Sequence, residues 1–567
     1  MKLRKIGKAE TSDYEQKWWR GATIYEIYVR SFRDSNGDGI GDLGGVLEKI
    51  DHIASLGVDA VWLSPFYKSP QKDYGYDIED FRLVDPSAGT MEDFLRLRDA
   101  VHARGMRLLL DFVPCHTSDQ HPWFQESRSS RDNPKADWYV WADQRADGCP
   151  PNNWLSSFGG TAWTWEPRRS QYYYHPFLTE QPALNLHNEE VLDHIIQEME
   201  YWCSQGVDGF RIDAVQCLSW DRDLRDNPPV GREGSHVMFG GGPTNPFARQ
   251  HHLFDRNAEG TEEILARFRQ FADEQECVLI GELADIDTPL AAPDLTGQGR
   301  RLHAVYDFNL INCPSDVEAL TEQLRRREEL MGASWVYNVL TNHDSTRALS
   351  NLTYFAVDTY PKQAAKLLLF MQLTLKGGCI LYQGDELGLP HPHLEYEDIV
   401  DPWAKAFWPT FEGRDGARTP IPWSADAPQA GFSDGKPWLR VPEEHLSFAV
   451  DRQEEDADSV LNFLRRLIAW RRNQPTLRFG DEQISRWERA PIITWRRCHA
   501  GSELRAIANF ATDQAFLPLD ECWRPMRVPG GVTRRQEHGL PLGPLEFAVV
   551  TEDNQGGAKP ASASDET

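Results

Sequence analysis

Long apolar runs are missing from this 567-residue chain: no stretch of about 18 apolar residues occurs, so no membrane-spanning helix is expected. The first residues, MKLRKIGKAETSDYEQKWWR, contain no apolar segment of secretory-leader length. Cysteine is sparse and unpatterned. The nine (Cys115, Cys149, Cys203, Cys217, Cys277, Cys313, Cys379, Cys498 and Cys522) form no CxxC pair, which argues against a disulfide framework and for reduced thiols in a cytoplasmic protein. Basic residues are in deficit, with 60 Lys+Arg against 87 Asp+Glu and a formal net charge of −27. Such a surface repels phosphate backbones and excludes a nucleic-acid partner. It does not oppose a neutral ligand such as a sugar. Aromatic residues are plentiful at 11 %, including 20 Trp; most serve cores, but their faces also suit the C–H faces of sugar rings.

Eight short apolar runs alternate with helical spacing: 22–29, 59–66, 107–113, 206–213, 278–283, 303–309, 336–342 and 379–386. Between them lie stretches such as TMEDFLRLRDAVHARG and HNEEVLDHIIQEMEYWCSQG, apolar at helical intervals. Eight strand–helix units predict an α/β fold, a closed (β/α)₈ TIM barrel, rather than an open doubly wound sheet. About 90 residues rich in Trp, Tyr, Pro and Asn separate strands three and four, too many for a loop. We therefore expect a barrel over 1–116 and 185–478, an inserted domain over 117–184, an all-β C-terminal domain over 479–551 and a disordered tail over 552–567.

Barrel enzymes carry their chemistry at the C-terminal ends of the strands. Those ends hold Asp111 and His116, Arg211 and Asp213, Glu282, and Asn342, His343 and Asp344. Polar caps explain one such residue easily; four strand ends converging on one mouth point to a catalytic centre.

The segments DFVPCH, GFRIDAV, GELAD and TNHDS, in this order, resemble the four conserved segments of the α-amylase superfamily, glycoside hydrolase family 13. QPALN is similar to the fifth segment in its α-glucosidase and oligo-1,6-glucosidase group, and the resemblance extends over roughly 18–550. It implies a retaining mechanism with Asp213 as nucleophile, Glu282 as general acid/base and Asp344 as the third carboxylate, gripping sugar hydroxyls. It implies that His116 and His343 donate to those hydroxyls, that Asp73 in DYGYD binds the terminal 4-hydroxyl and that Tyr76 stacks on the ring. Arg211 would hold Asp213 ionised. Arg418 in GRDGARTP resembles the arginine that pairs with Asp73 to close the pocket, with Arg414 a weaker candidate.

The run DSNGDGIGD offers oxygens at alternate positions, Asp34, Asn36, Asp38, the Ile40 carbonyl and Asp42, a pattern that suits a hard cation. Its twelfth position is Gly45 where an EF-hand needs Glu. It resembles instead the structural calcium loop of the oligo-1,6-glucosidases, so a bound Ca²⁺ (or Mg²⁺), away from the chemistry, is expected. Two positions depart from the family pattern: Cys115 replaces an Asn before His116, and Ala183 replaces an Asp in QPALN. Ala214, after the nucleophile, is small where α-1,6-preferring members carry Val, which implies an α-1,4 preference. The expected activity is release of α-glucose from the non-reducing ends of short oligosaccharides. The alternative on the same scaffold is transglucosylation or isomerisation of sucrose- or trehalose-type sugars. A non-catalytic, membrane-anchored relative is excluded by the absent membrane segment and the three retained carboxylates.

Overall fold

Eight of the apolar runs form parallel strands: β1 (Thr23–Ile27), β2 (Ala60–Leu63), β3 (Arg107–Phe112), β4 (Gly209–Ile212), β5 (Val278–Glu282), β6 (Ala304–Asp307), β7 (Val336–Asn338) and β8 (Gly378–Tyr382). In this computed structural model, which describes residues 17–231, 244–284, 287–311, 316–351, 359–487, 491–536 and 538–552, they pair in sequence and close into a barrel as β1 joins β8 through Thr23↔Cys379. Both faces of these strands are covered, which is why they read as continuous apolar runs rather than alternating ones. Gly209 marks a tight crossing, since a Cβ there would lie 2.5 Å from the Val278 carbonyl oxygen.

Helices α1 (Met91–Ala103), α2 (Glu189–Ser204), α3 (Thr261–Glu274), α4 (Pro361–Thr374) and α5 (Val460–Arg472) are among those that pack outside the barrel. A capping box of Thr90 and Asp93 starts α1. In α2, buried Val191, Ile195, Met199 and Trp202 recur at the three- and four-residue spacing of one helix face.

Three features are laid over this frame. Between β3 and β4, antiparallel strands 141–142, 171–174 and 163–166 form a small sheet inside the expected insert, with Trp154, Trp163, Tyr174 and Ala183 in its core. After β8 the chain runs through 389–456 without a strand. Beyond α5 come β9 (Asp481–Trp487), β10 (Ile492–His499), β11 (Ser502–Asn509), β12 (Ala515–Pro518), β13 (Trp523–Met526), β14 (Gly539–Leu542) and β15 (Phe547–Glu552). They make a five-stranded sheet, β9-β10-β11-β15-β13, and a two-stranded one, β12-β14, with Ile507, Leu517, Trp523 and Leu540 in a shared core. The expected tail beyond Glu552 lies outside the described residues.

The floor of the barrel is tied by buried arginines. Arg471 of α5 donates to the carbonyls of Gly21, Leu373 and Gly377, joining the approaches to β1 and β8. Arg497 of β10 donates to the Thr374 and Gly480 carbonyls, and Trp495 to the Thr374 hydroxyl. Eight cysteines among the described residues are free thiols. No described helix is long and apolar enough to cross a membrane.

Two strands are shorter than their apolar runs. β7 stops at Asn338 although the run continues to 342, and β8 stops at Tyr382 although its run continues to 386. The chain peels from the sheet there, which frees Asn342, His343 and Asp344 to turn over the mouth.

Candidate active site

One guanidinium organises the mouth. Arg211 of β4 is 1 % exposed; its Nη1 lies 2.8 Å from Asp111 Oδ1 and 2.6 Å from Asp213 Oδ1, and its Nη2 lies 2.5 Å from Glu282 Oε1. Register brings these groups together. Asp111 of β3 sits opposite Arg211, Arg211 and Asp213 share one face two residues apart, and Glu282 ends β5 beside β4. The second Glu282 oxygen accepts from the Ala214 amide at 3.1 Å. That amide is aimed by an unusual backbone: Ala214 is left-handed, with φ 42° and ψ 52°, a strained conformation for a residue with a Cβ, of the kind that clusters at functional sites.

Burial pushes the Glu282 carboxyl up to about 8; Arg211 opposes the shift, while the charges of Asp213 and Asp344 add to it. Burial also raises Asp213, to about 6, against the pull of Arg211. Asp111 is raised to about 6 for the same reasons. One cation thus serves three carboxylates, and Glu282 is the one most readily protonated. Asp344 is different. Burial alone would raise it, but the charge and hydrogen bond of His343 and the guanidiniums of Arg418 and Arg414 hold it well below the usual carboxylate range. Arg418 Nη2 lies 2.5 Å from Asp344 Oδ1, and His343 Nε2 lies 3.2 Å from Oδ2.

Asp213, Glu282, Asp344, Asp73, Tyr76 and His116 line one cavity, with Ala214, Gln181, Phe158, Phe177, Trp403 and Arg414 among its other walls. One expectation changes here. Asp73 is paired with Arg414, at 2.8 Å, and not with Arg418. Arg414 is anchored in turn by two side-chain bonds to Asp401, whereas Arg418 donates to Asp344 and to the His343 carbonyl. The four-residue spacing within GRDGARTP, one turn of coiled chain, swaps the two partners. His343, expected to donate to sugar hydroxyls, is wholly buried. Its ring is held between Glu26 (2.6 Å), Tyr76 Oη (2.7 Å) and Asp344.

His116 does border the cavity. Its Nε2 lies 3.0 Å from the Tyr76 carbonyl and its Nδ1 lies 3.2 Å from Cys115 Sγ. The Gln181 amide nitrogen also lies 3.2 Å from Nε2; the nearer Tyr76 carbonyl only accepts, and a proton on Nε2 that serves it leaves the Cys115 thiol to donate to Nδ1. Burial lowers His116 to about 4, which keeps this neutral tautomer. The Ala183 substitution is also accommodated. Its amide and carbonyl bond to the Tyr174 carbonyl and the Val140 amide, and its methyl group joins an apolar cluster that a carboxylate would disrupt.

Sequence reasoning did not single out Glu26, Asp401, Phe158, Phe177 or Trp403 as site residues. Gln181 lay inside the quoted QPALN, and its amide donates to Asp73 Oδ2 at 3.0 Å. Glu26 carried a signal, being an acid inside an apolar strand; Trp403 lies in a helix of six residues, Pro402–Phe407, too short to show a period, and the others lie in irregular chain, where no periodicity marks an inward face.

The acidic loop after β1 is held by bonds from side chains to the backbone two residues on: Asp34 to the Asn36 amide, Asn36 to Asp38 and Asp38 to Ile40. Asp34 also accepts from the Gly37 and Gly39 amides and Ser433, and Asp42 accepts from the Ser35 hydroxyl and the Gly45 amide. Asp34 and Asp42 are buried, and no ion pair with a Lys, Arg or His is formed by Asp34, Asp38 or Asp42 among the described residues. No three acidic, His or Cys side chains converge there, so a cation would need the Asn36 oxygen and the Ile40 carbonyl as well. That mixed oxygen set fits a hard divalent ion.

Residues 26–480 match the family described as alpha amylase, catalytic domain. The chain is 42 % identical to a probable alpha-glucosidase of Rhizobium meliloti, covering 93 % of this chain and 96 % of that one. It is 33 % identical to an oligo-1,6-glucosidase of Heyndrickxia coagulans, covering 90 % and 95 %. Among solved structures it resembles an alpha-glucosyl transfer enzyme, XgtA (TM-score 0.91, 43 % identity, 94 % and 99 % covered). It also resembles the trehalulose synthase MutB of Pseudomonas mesoacidophila (TM-score 0.84, 30 % identity, 95 % and 100 % covered). With its carboxylates gathered at the mouth of a closed barrel, the chain belongs to the α-amylase family of glycoside hydrolases, family 13.

Proposed function

We propose that this protein is a retaining α-glucosidase that removes α-glucose from the non-reducing ends of short oligosaccharides, preferring α-1,4 links of the maltose type. The observation that carries the exo reading is the buried Asp401–Arg414–Asp73 chain across the cavity, which would block a longer glucan from threading past. In the mechanism, Asp213, kept anionic by Arg211, attacks the anomeric carbon. Glu282, kept protonated by burial and by neighbouring anions, gives its proton to the leaving oxygen. A β-glucosyl ester on Asp213 forms, and Glu282, now a base, activates the water that resolves it. Two carboxylates held by two nitrogens of one guanidinium suit the short separation, about 5–5.5 Å, of retaining enzymes. Asp344 would hold ring hydroxyls and favour the distorted sugar.

The test is an NMR time course on maltose, isomaltose, sucrose and trehalose. α-Glucose should appear first, from maltose fastest; β-glucose first would overturn the retaining reading. Transfer to a second sugar is the other reading, supported by the likeness to XgtA and MutB and by the aromatic rim, where Phe158 stacks on Trp403 at 4.7 Å. An aromatic rim offers an acceptor sugar a face and restricts water. Oligosaccharides accumulating ahead of free glucose would favour it.

The same reading gives the loop of Asp34, Asn36, Asp38, Ile40 and Asp42 a structural Ca²⁺ or Mg²⁺, which would neutralise its buried carboxylates.

A further inference from the structure

Glu26 lies inside β1, wholly buried, with Oε1 2.6 Å from His343 Nδ1 and its other oxygen without a hydrogen-bond partner. The opposite ring nitrogen, Nε2, faces Tyr76 Oη at 2.7 Å and Asp344 Oδ2 at 3.2 Å. The Tyr76 hydroxyl has one proton, and it is directed to Asp111 Oδ2 at 2.9 Å. Its oxygen must then accept from His343 Nε2. With Glu26 ionised, both ring nitrogens face acceptors, an arrangement that the doubly protonated ring satisfies; burial pushes the Glu26 carboxyl up, and the hydrogen bond and charge of His343 oppose that shift.

We propose that Glu26 is a positioning residue that keeps His343 an imidazolium, and that this cation aims the Asp344 carboxylate at the bound glucosyl ring. Asp344 then has one oxygen on Arg418 and the other on His343, a fixed orientation between two cations. A neutral ring would leave the second oxygen facing a single weak donor or a lone pair. The groups around the ring are Glu26 from β1, Tyr28 stacked on it at 5.7 Å, Tyr76 within 12° of its plane with ring centroids 5.4 Å apart, Asp111 from β3, Arg211 from β4, Asp344 beside it, and Arg418, which holds its carbonyl. Their joint effect supports the assignment: burial opposes charge on His343, but Asp344 and Glu26 raise it to about 9.

The inference rests on reading this cavity as the glucosyl site, and the experiment separates the two. α-Glucosyl fluoride loses fluoride without needing a proton from Glu282, so kcat/KM for this substrate drops the limb due to that acid. If the wild type does not turn it over, the glucosyl reading fails. If it does, the ratio of Glu26→Gln to wild-type kcat/KM should fall about tenfold or more between pH 6 and pH 8.5, its alkaline limb having moved down by at least one pH unit. Glu26→Asp should restore part of the shift. An unmoved limb, or a loss uniform in pH, overturns the proposal. Independently of that variant's folding, the wild type labelled at histidine should show at pH 7.5 an imidazolium NMR signal that is absent from His343→Gln; no such signal also overturns it.

Discussion

Asp213 and Glu282 carry the same functional group and touch the same guanidinium, yet their surroundings hold them apart, at about 6 and about 8. In the proposed mechanism Asp213 must be ionised to attack, so activity should be lost as pH falls through about 6. Glu282 must be protonated to act as acid, so activity is lost as pH rises through about 8. A bell-shaped kcat/KM on maltose with limbs near these values is expected; a plateau extending well above pH 9 would remove the assignment of Glu282. Asp213→Asn and Glu282→Gln should each lower turnover by several orders of magnitude, with circular dichroism unchanged, because these groups carry much of a barrier reduction that in enzymes totals about 8–23 kcal/mol. Ala214 raises a different question, since it lines the cavity and is left-handed. Ala214→Val adds bulk beside the scissile bond but also strains the backbone, because β-branched residues avoid this region. The steric account expects maltose kcat/KM to fall about 10–200-fold and isomaltose far less. Equal losses on both sugars would assign the effect to strain. At this scale the sequence was readable where a residue ends a strand: Asp111, Arg211, Asp213 and Glu282 could be placed by register alone. The partners of His343 could not be read, because Glu26 and Tyr76 come from β1 and the loop after β2, and no local spacing announces such a contact.

The segment 389–456 shows what strands give away and loops conceal. It contains no strand, yet it delivers Asp401, Trp403, Arg414 and Arg418 to the mouth. The eight strands announced themselves because a sheet covered on both faces needs unbroken apolar runs. An irregular segment obeys no such period, and which of two arginines four residues apart meets Asp73 is decided by turn geometry. The pairing can be checked kinetically. Arg414→Met leaves Asp73 and Asp401 buried without their cation, so it should cost stability, about 3–5 kcal/mol for a broken buried pair. It should also raise KM for maltose more than it lowers kcat, because Asp73 loses its orientation towards the terminal sugar. Arg418→Met should instead lower kcat with a smaller change in KM, because it releases Asp344, whose grip matters most in the distorted ring. The reverse pattern would return Asp73 to Arg418.

Across the whole molecule, the net charge of −27 and the buried carboxylates of the 34–42 loop make the cation proposed there a question of stability. A ligand held only by the folded state stabilises it by mass action. Chelation should therefore lower Tm while initial activity at 25 °C is largely kept, and metal analysis of the purified protein should find one divalent ion per chain; finding none would discard the loop as a cation site. The arginine-tied floor has a consequence of another kind. Arg471 fastens the seam where the first and last strands meet, and Trp495 and Arg497 reach into it from the C-terminal sheet. The terminal sheet is thus a keystone rather than an appendage, and a chain ending at Gly480 would leave the Thr374 carbonyl and hydroxyl without their donors. The mouth is built from loops that share none of these contacts. The protein is in effect a fixed chassis under an exchangeable rim: loops taken from sugar-transferring relatives should graft onto it and change its products, whereas exchanging the terminal sheet should cost the fold itself.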